Sequence, residues 1–510
     1  MLPAQITDAF ARLEAAQTQL VLAVATFHDA CTTLYHAATK LENDYTYRGS
    51  LDQKLVQTVD HLNSFATMEA QLHQSVAALR RTRNMSRDLI PINKLPAEIL
   101  SRVFDHANSR MDCADTDGRR HHLDSSVVIP SVCVSWRQQA LNMSWWWAHI
   151  DLFEGNNSST LNRSVLWSQR ARDVPVDLHF KSYRFFEDQE LAPAMKGILT
   201  RAGSLTFLPC SSESYFQDVF NHYITCGLSG RLKSITVGQI IQDGGLSDHF
   251  SWSGFVPKTL TTLKLTHTSD IITPSLDELM RLLSRTPNLR TLVLRSVCMT
   301  SSQHNRYQEI NLPDLEYFES YSYSSTRPAH LEVAKHLLRN IVPGARELEA
   351  WVDMGNPDDR DHDSALRAFF SRSRITRLHT GYFKAGDETR LAQYLDYLPE
   401  LRLLSLDFNN EQTDDILEAL VVPTEEQEYR ARCPKLQTLR LSEASIIPRS
   451  QDQLKRIVEK HELTKLILGD RAYFVDEDGT YSYNTELLEW ISTRVPEVQS
   501  DSVSWFDLGV

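Results

Sequence analysis

The chain has 510 residues and carries 53 Lys and Arg against 66 Asp and Glu, a formal net charge of −13. This acidic balance argues against a general binder of nucleic acid, because phosphate backbones are bound by basic surfaces. The apolar fraction of 42% is typical of globular proteins, and a chain of this length can bury a large core without disulfides or metal. We therefore expect several folded domains and exclude a chain that is disordered throughout.

The cysteines and the apolar segments indicate the cellular compartment in which the protein is expected. The seven cysteines are odd in number and widely spaced, with no Cys-x-x-Cys pair, which is typical of reduced intracellular thiols. The first residues lack a basic stretch followed by an apolar core, and no apolar run approaches the about 20 residues that a membrane span needs. We expect a cytoplasmic or nuclear protein that does not contact a membrane.

Residues 1–88 contain two apolar heptad seams. The first covers residues 6–45 and the second covers residues 51–79, both with alternating spacings of three and four. Such seams predict two long helices, with Gly49 in the turn between them. Two helices of similar length and a short loop favour an antiparallel, coiled-coil-like hairpin. The seams could instead mediate dimerisation or accept a helix from another protein.

Residues 89–152 predict a small all-α domain. Pro96 suits the first turn of a helix, and an apolar stripe follows at helical spacing. Pro130 is expected to open a second apolar helix. Three consecutive tryptophans, residues 145–147, end the domain. A core this small cannot bury all three, so we expect exposed aromatic surface that contacts a protein partner.

Two separated patterns in this domain resemble an F-box. They are Leu-Pro-x-Glu-Ile-Leu at residues 95–100 and Val-Cys-Val-Ser-Trp-Arg at residues 132–137, and the final Trp147 follows. With the heptad helices before it, the layout is similar to the expanded F-box families of mushroom-forming fungi. The resemblance implies docking on a Skp-type adaptor and, through it, a cullin–RING ubiquitin ligase. The implied adaptor-binding residues are Leu95, Pro96, Ile99, Leu100, Val103, Phe104, Val132, Cys133, Trp136 and Trp147.

Residues 160–510 repeat the form Leu-x-x-Leu-x-Leu. Good copies start at residues 232, 260, 289, 401, 436 and 463, and weaker copies start at residues 315, 345 and 375. A period of about 26–35 residues predicts a solenoid, and the motif resembles a leucine-rich repeat with α/β architecture. Ser275 and Glu278 form a capping box that predicts a helix between two strands. Residues 473–483 read as a hairpin that could cap the solenoid.

The solenoid is the predicted site of substrate recognition. Strand side chains alternate between two faces, so the residues between the leucines should point away from the core. In the best copies the predicted substrate-binding residues are Lys264, Val293, Arg295, Ser405, Asp407 and Arg440. Their mixed charge suits a folded protein or peptide better than a polyanion. The alternative is that these residues are only the solvated side of the sheet, with binding at loops or at the C-terminal end instead.

Motifs of catalysis are missing from the sequence. It contains no nucleophile elbow, no phosphate-binding loop and no zinc-protease helix. Residues 112–124 include Asp, Cys and His but lack the spacing of a calcium loop, so we predict a solvated insertion. We therefore expect no enzyme, no cofactor and no metal site. The predicted function is a substrate-recognition adaptor of an SCF-type ubiquitin ligase, and the alternative is a scaffold that assembles proteins outside any ligase.

Overall fold

A computed structural model of the chain forms two compact units, Met1–Leu100 with Cys133–Ser135 and Ser101–Val132 with Trp136–Val510. Among the helices of the described residues, none combines the length and apolarity needed to cross a membrane. The described residues are 4–40, 45–85, 91–107, 125–153, 158–181, 193–208, 211–227, 231–238, 240–241, 250–255, 258–268, 272–297, 299, 307–321, 328–381, 383, 387–408, 416–423, 429–469, 472–475, 481–482 and 485–500.

Two long helices occupy most of the first unit, as the heptad seams predict. Helix α1 covers Ala4–Lys40 and helix α2 covers Tyr45–Met85. The rings of Phe27 and Phe65 meet at a centroid distance of 5.2 Å. The prediction of a turn at Gly49 was wrong, because Gly49 lies inside α2. A glycine in a helix costs only about 1 kcal/mol relative to alanine, so a helix of this length can continue through it.

Shorter helices follow in the segment that resembles an F-box. After a 3-10 turn at Pro91–Lys94 come α3 (Ala97–Ala107), α4 (Ser125–Val132), α5 (Val134–Asn142) and a 3-10 turn at Ser144–Trp147. Pro130 was expected to open a helix, but it lies within α4. The Nε of Arg137 donates to the Pro130 carbonyl at 3.0 Å, which replaces the backbone bond that a continuous helix would make.

The second unit is built on one large parallel sheet. Among the described residues thirteen strands pair in the order in which they occur along the chain, as the repeat pattern predicts. They are β1 (His149–Phe153), β2 (Val176–Lys181), β3 (Ala202–Phe207), β5 (Ser234–Val237), β7 (Thr262–Thr266), β8 (Thr291–Arg295), β10 (Tyr317–Tyr321), β12 (Leu348–Asp353), β13 (Ile375–Gly381), β14 (Leu403–Asp407), β17 (Thr438–Ser442), β19 (Lys465–Leu468) and β22 (Glu497–Ser500).

Helices and short strands connect the members of this sheet. The helices are α6 (Ser158–Arg170), α7 (Pro193–Leu199), α8 (Glu213–Thr225), α9 (Leu276–Ser284), α10 (Pro328–Asn340), α11 (Arg360–Arg372), α12 (Asp387–Leu395), α13 (Pro448–Lys460) and α14 (Thr485–Ser492). The short strands are β4 (Ser211–Ser212), β6 (Ile240–Ile241), β9 (Ile310–Leu312), β11 (Ile341–Pro343), β15 (Val421–Pro423), β16 (Tyr429–Ala431), β18 (Ser445–Ile446), β20 (Tyr473–Val475) and β21 (Tyr481–Ser482). The capping box of Ser275 and Glu278 at the start of α9 is confirmed.

The leucines of the repeats form the core of the solenoid. In β7, for example, Leu263 and Leu265 are buried, whereas Thr262, Lys264 and Thr266 between and beside them are half-exposed. This alternation follows from strand geometry, which sends successive side chains to opposite faces. Stacking one strand on the next therefore buries a continuous row of leucines, which no single repeat could bury alone.

Three boundaries differ from the expectations. The sheet begins at His149, inside the segment expected to be an F-box, because β1 pairs with β2 although it lacks the leucine motif. The pattern Ser-Gln-Asp-Gln at residues 450–453 predicts a helix start at Ser450, but α13 begins at Pro448, since proline suits the first turn. The hairpin of β20 and β21 is present, but it belongs to a small side sheet, and the main sheet continues beyond it to β22.

Candidate functional site

The polar side of the large sheet is a continuous surface, which we call the strand face. Strand registers place its side chains in rows that cross all thirteen strands. The central row contains Asp151, His179, Thr206, Thr236, Lys264, Val293, Glu319, Trp351, His379, Ser405, Arg440, Ile467 and Gln499. Neighbours in such a row are about 4.8 Å apart, so the side chains form one surface.

The six residues predicted to bind a substrate all lie on the strand face. Lys264 is next to Val293 in the central row, and Ser405 is next to Arg440. Arg295 and Asp407 lie two positions further along their strands. Val293 and Ser405 are only 4% and 7% exposed, so these two side chains offer little surface to a partner, while the other four are half-exposed.

One of these residues, Arg295, forms an ion pair with Glu319 in the middle of the strand face. The Nε of Arg295 lies 2.5 Å from Oε1 of Glu319, and its Nη2 donates to Oε2 at 3.1 Å. The hydroxyl of Tyr317 donates to the same carboxylate at 3.0 Å. Glu319 is only 1% exposed. The sequence-based prediction missed Glu319 because its strand carries only a weak copy of the repeat motif.

An aromatic pair with a carboxylate forms a second cluster, in two adjacent strands. Trp351 stacks on His379, and Nε2 of His379 lies 3.3 Å from Glu349. Nη1 of Arg377 lies 3.2 Å from the other oxygen of Glu349. The neighbouring imidazole of His379, opposed by partial burial, holds the pKa of Glu349 at about 2, so this carboxylate is ionised at any ordinary pH. A half-exposed indole beside charged groups is typical of residues that anchor protein interfaces.

Two histidines and two aspartates meet at the amino-terminal end of the strand face. His149 and Asp151 lie on β1, and Asp177 and His179 lie on β2. Among the described residues, His149, Asp177 and His179 are the one group whose ligand atoms are close enough to hold a metal ion. The sequence-based prediction missed this cluster, although the spacings His-x-Asp and Asp-x-His on successive strands could have indicated it.

Burial raises the pKa of Asp177, but the neighbouring side chains of His149, His179 and Ser204 lower it by more. The pKa of Asp177 therefore lies well below its ordinary value, and the carboxylate is ionised in the folded chain.

The residues expected to bind a Skp-type adaptor divide into exposed and buried ones. The exposed ones are Leu95 (38%), Pro96, Ile99 (43%), Val103 (40%) and Val132 (49%). Cys133 and Trp136 are half-exposed. Ile99 and Val103 are four residues apart in α3 and therefore share one helix face. An apolar pair this exposed on a short helix is the kind of surface that protein contacts use.

Three of the expected adaptor contacts are core residues: Leu100, Phe104 and Trp147 are 6%, 1% and 1% exposed. The indole of Trp147 donates to the Ala140 carbonyl at 2.9 Å, and its ring lies 5.9 Å from that of Trp167 in α6. Of the three consecutive tryptophans, only Trp145 stays exposed, at 36%. The expected exposed aromatic surface is therefore limited to Trp145, because α6 extends the core that buries Trp147 beyond the small domain.

Comparisons with known proteins identify no family. No protein-family model matches the chain, and no curated protein matches it. Solved structures that resemble it include the leucine-rich repeat-containing protein LegL7 from Legionella pneumophila, at 12% identity and a TM-score of 0.35, covering 68% of this chain and 97% of that one. Another is the TLR13–ssRNA13 complex, at 18% identity and a TM-score of 0.28, covering 59% of this chain and 43% of that one. The likeness is too distant to bear on function.

Proposed function

We propose that the chain is a substrate-recognition adaptor of an SCF-type ubiquitin ligase, which binds a protein on the strand face and a Skp-type adaptor through residues 91–147. The strand face carries the proposal. It offers aromatic, cationic and anionic side chains in register across thirteen strands, a mixture that suits a protein surface and not a polyanion. Such an adaptor acts inside the cell and catalyses nothing itself; it raises the concentration of its substrate near the ligase.

The adaptor contact is assigned to the exposed apolar residues of the F-box-like segment. Ile99 and Val103 on α3, together with Leu95 and Val132, combine the resemblance to the F-box motif with side-chain exposure. Phe104 and Trp147 support the segment from its core. Truncating a central anchor in an interface typically costs about 2 kcal/mol or more, which is roughly 30-fold in affinity.

The test is affinity purification of the full chain from cells, with Skp-type and cullin subunits quantified by mass spectrometry. Ile99→Asp combined with Val103→Asp should abolish their recovery, because two charges would enter an apolar interface. The matched control, Val56→Asp with Val59→Asp, makes the same change at exposed positions of α2 and should leave recovery unchanged. Equal recovery with both double variants, or no Skp-type subunit with the wild-type chain, would contradict the adaptor assignment.

A second candidate function is a scaffold that assembles through the long helices. The observation that favours it is the exposure of the seams: Phe10, Val24 and Val76 remain 52%, 60% and 44% exposed. A seam that its own hairpin covers should bury most of these side chains. Sedimentation of the full chain distinguishes the two functions, since a scaffold of this kind should self-associate at micromolar concentration and Leu20→Asp should return it to monomer.

A further inference from the structure

The His–Asp cluster at the start of the solenoid alternates its two residue types across paired strands. The register sets His149 beside Asp177 and Asp151 beside His179, so the two histidines lie on one diagonal and the two aspartates on the other. The imidazole centroids are 4.2 Å apart. As two cations the adjacent imidazoles would repel. A group between them that binds both nitrogens removes this conflict.

Two distances within the cluster are close to those of a tetrahedral metal site. Oδ2 of Asp177 lies 3.5 Å from Nδ1 of His149 and 3.2 Å from Nε2 of His179. Ligands about 2.0–2.1 Å from Zn²⁺ in tetrahedral geometry are separated by about 3.3–3.4 Å. We propose that Nδ1 of His149, Nε2 of His179 and a carboxylate oxygen of Asp177 bind a divalent transition-metal ion of the zinc class.

The surroundings of these three ligands supply the second set of contacts that metal sites use. Nε2 of His149, the nitrogen turned away from Asp177, lies 3.1 Å from Oδ1 of Asp151. A carboxylate that accepts the second imidazole N–H fixes the tautomer and the ring orientation of a metal-binding histidine.

The site opens onto the strand face. The side chains of His149, Asp177 and His179 are 21%, 30% and 11% exposed, so an ion can reach them from solvent. Three protein ligands leave the fourth tetrahedral position to water or to a side chain of a bound protein. The ion would tie β1 to β2 and so fasten the first repeat of the solenoid to the second.

The test uses the full chain without an affinity tag, stripped with chelator and titrated with Zn²⁺ in a calorimeter. We expect one equivalent to bind stoichiometrically, and Co²⁺ to give the intense visible absorption of a four-coordinate ion. His179→Gln should remove this binding, and Asp151→Asn should weaken it about 10- to 100-fold, as loss of a supporting carboxylate does. His379→Gln is the control, because His379 also pairs with a carboxylate but has no second histidine beside it.

Two further measurements distinguish an ion held by His149, Asp177 and His179 from an ion held elsewhere in the chain. X-ray absorption at the zinc edge of the wild-type complex should show two imidazole ligands and no sulfur, and it requires no variant to fold. His121 and His122 lie in the segment 112–124, the other part of the chain that is rich in Asp, Cys and His. His121→Gln with His122→Gln should leave the binding intact. The proposal is overturned by no stoichiometric binding, which would leave an ion-pair network only. It is equally overturned by binding that survives His179→Gln, by sulfur among the ligands, or by loss of binding in the His121 and His122 variant.

Discussion

The indole of Trp351 lies flat on the imidazole of His379, with ring centroids 3.9 Å apart and planes inclined by 7°. The two residues are direct neighbours in the central row of the strand face. Stacking orients the indole before any partner arrives, so less side-chain entropy is lost when it is buried in an interface. The same pair marks the place where the strand face combines aromatic surface with the ionised Glu349.

We expect Trp351→Ala to remove most of the protein binding of the strand face. Central aromatic anchors typically contribute about 2 kcal/mol or more when truncated, roughly 30-fold in affinity. Proximity labelling in cells, with the labelling enzyme fused to the full chain, measures the loss. Trp490→Ala is the matched control, since Trp490 lies on α14 and not on the strand face. An unchanged set of labelled proteins with Trp351→Ala would place the binding surface elsewhere.

Arg295→Met should destabilise the solenoid by about 3 kcal/mol, because it leaves the buried carboxylate of Glu319 without its cation. The double variant Arg295→Met with Glu319→Gln should recover part of this loss, since no charge then remains buried. Urea denaturation followed by circular dichroism gives the unfolding free energies. If the double variant is as unstable as the sum of the two single variants, the ion pair has no measurable coupling.

Gly355→Ala should destabilise the solenoid, and Gly197→Ala should not. Gly355 has φ +68°, and a Cβ there would lie 2.6 Å from the ring of His362, so strain of about 1–2 kcal/mol and a clash add together. A Cβ at Gly197 in α7 would meet nothing within 4 Å. Alanine there should stabilise the helix by about 0.5–1 kcal/mol. Melting temperatures of the two variants, one lower and one higher than wild type, check this.

The stability of the solenoid should fall as the pH drops from 7.5 to 5.5. Burial lowers the pKa of His362 below its ordinary value of 6.5, so between the two pKa values the unfolded chain binds more protons than the folded chain. The unfolding free energy then decreases by up to about 1.4 kcal/mol per pH unit for such a group.

The urea midpoint at three pH values measures this dependence. His362→Gln should make it shallower, because the glutamine cannot titrate. His36→Gln on the exposed side of α1 should leave it unchanged. A midpoint that rises toward pH 5.5 in the wild-type chain would contradict the assignment of a neutral, buried His362.

The repeat motif predicted the solenoid well, because each leucine triplet indicates both the position of a strand and the side of the strand that faces the core. Leu263 and Leu292 lie in the core as their spacing requires, and Lys264 and Val293 fall on the strand face, although Val293 is buried there. Two kinds of feature could not be predicted from the sequence. The burial of Trp147 depends on α6, which no local pattern connects to it. The pairing of His149 with Asp177 depends on the register of two strands of which neither carries the leucine motif, so only the assembled sheet brings these residues together.

The strict order of the strands also describes how this protein can be made. Each strand of the large sheet pairs only with the strands before and after it in the chain, so no pairing waits for a distant segment to be synthesised. Repeats leaving the ribosome can dock one by one on the edge of those already formed. Contacts between near neighbours in the chain also favour rapid folding. A truncated or stalled chain would therefore end in a partly grown solenoid whose exposed edge strand invites aggregation.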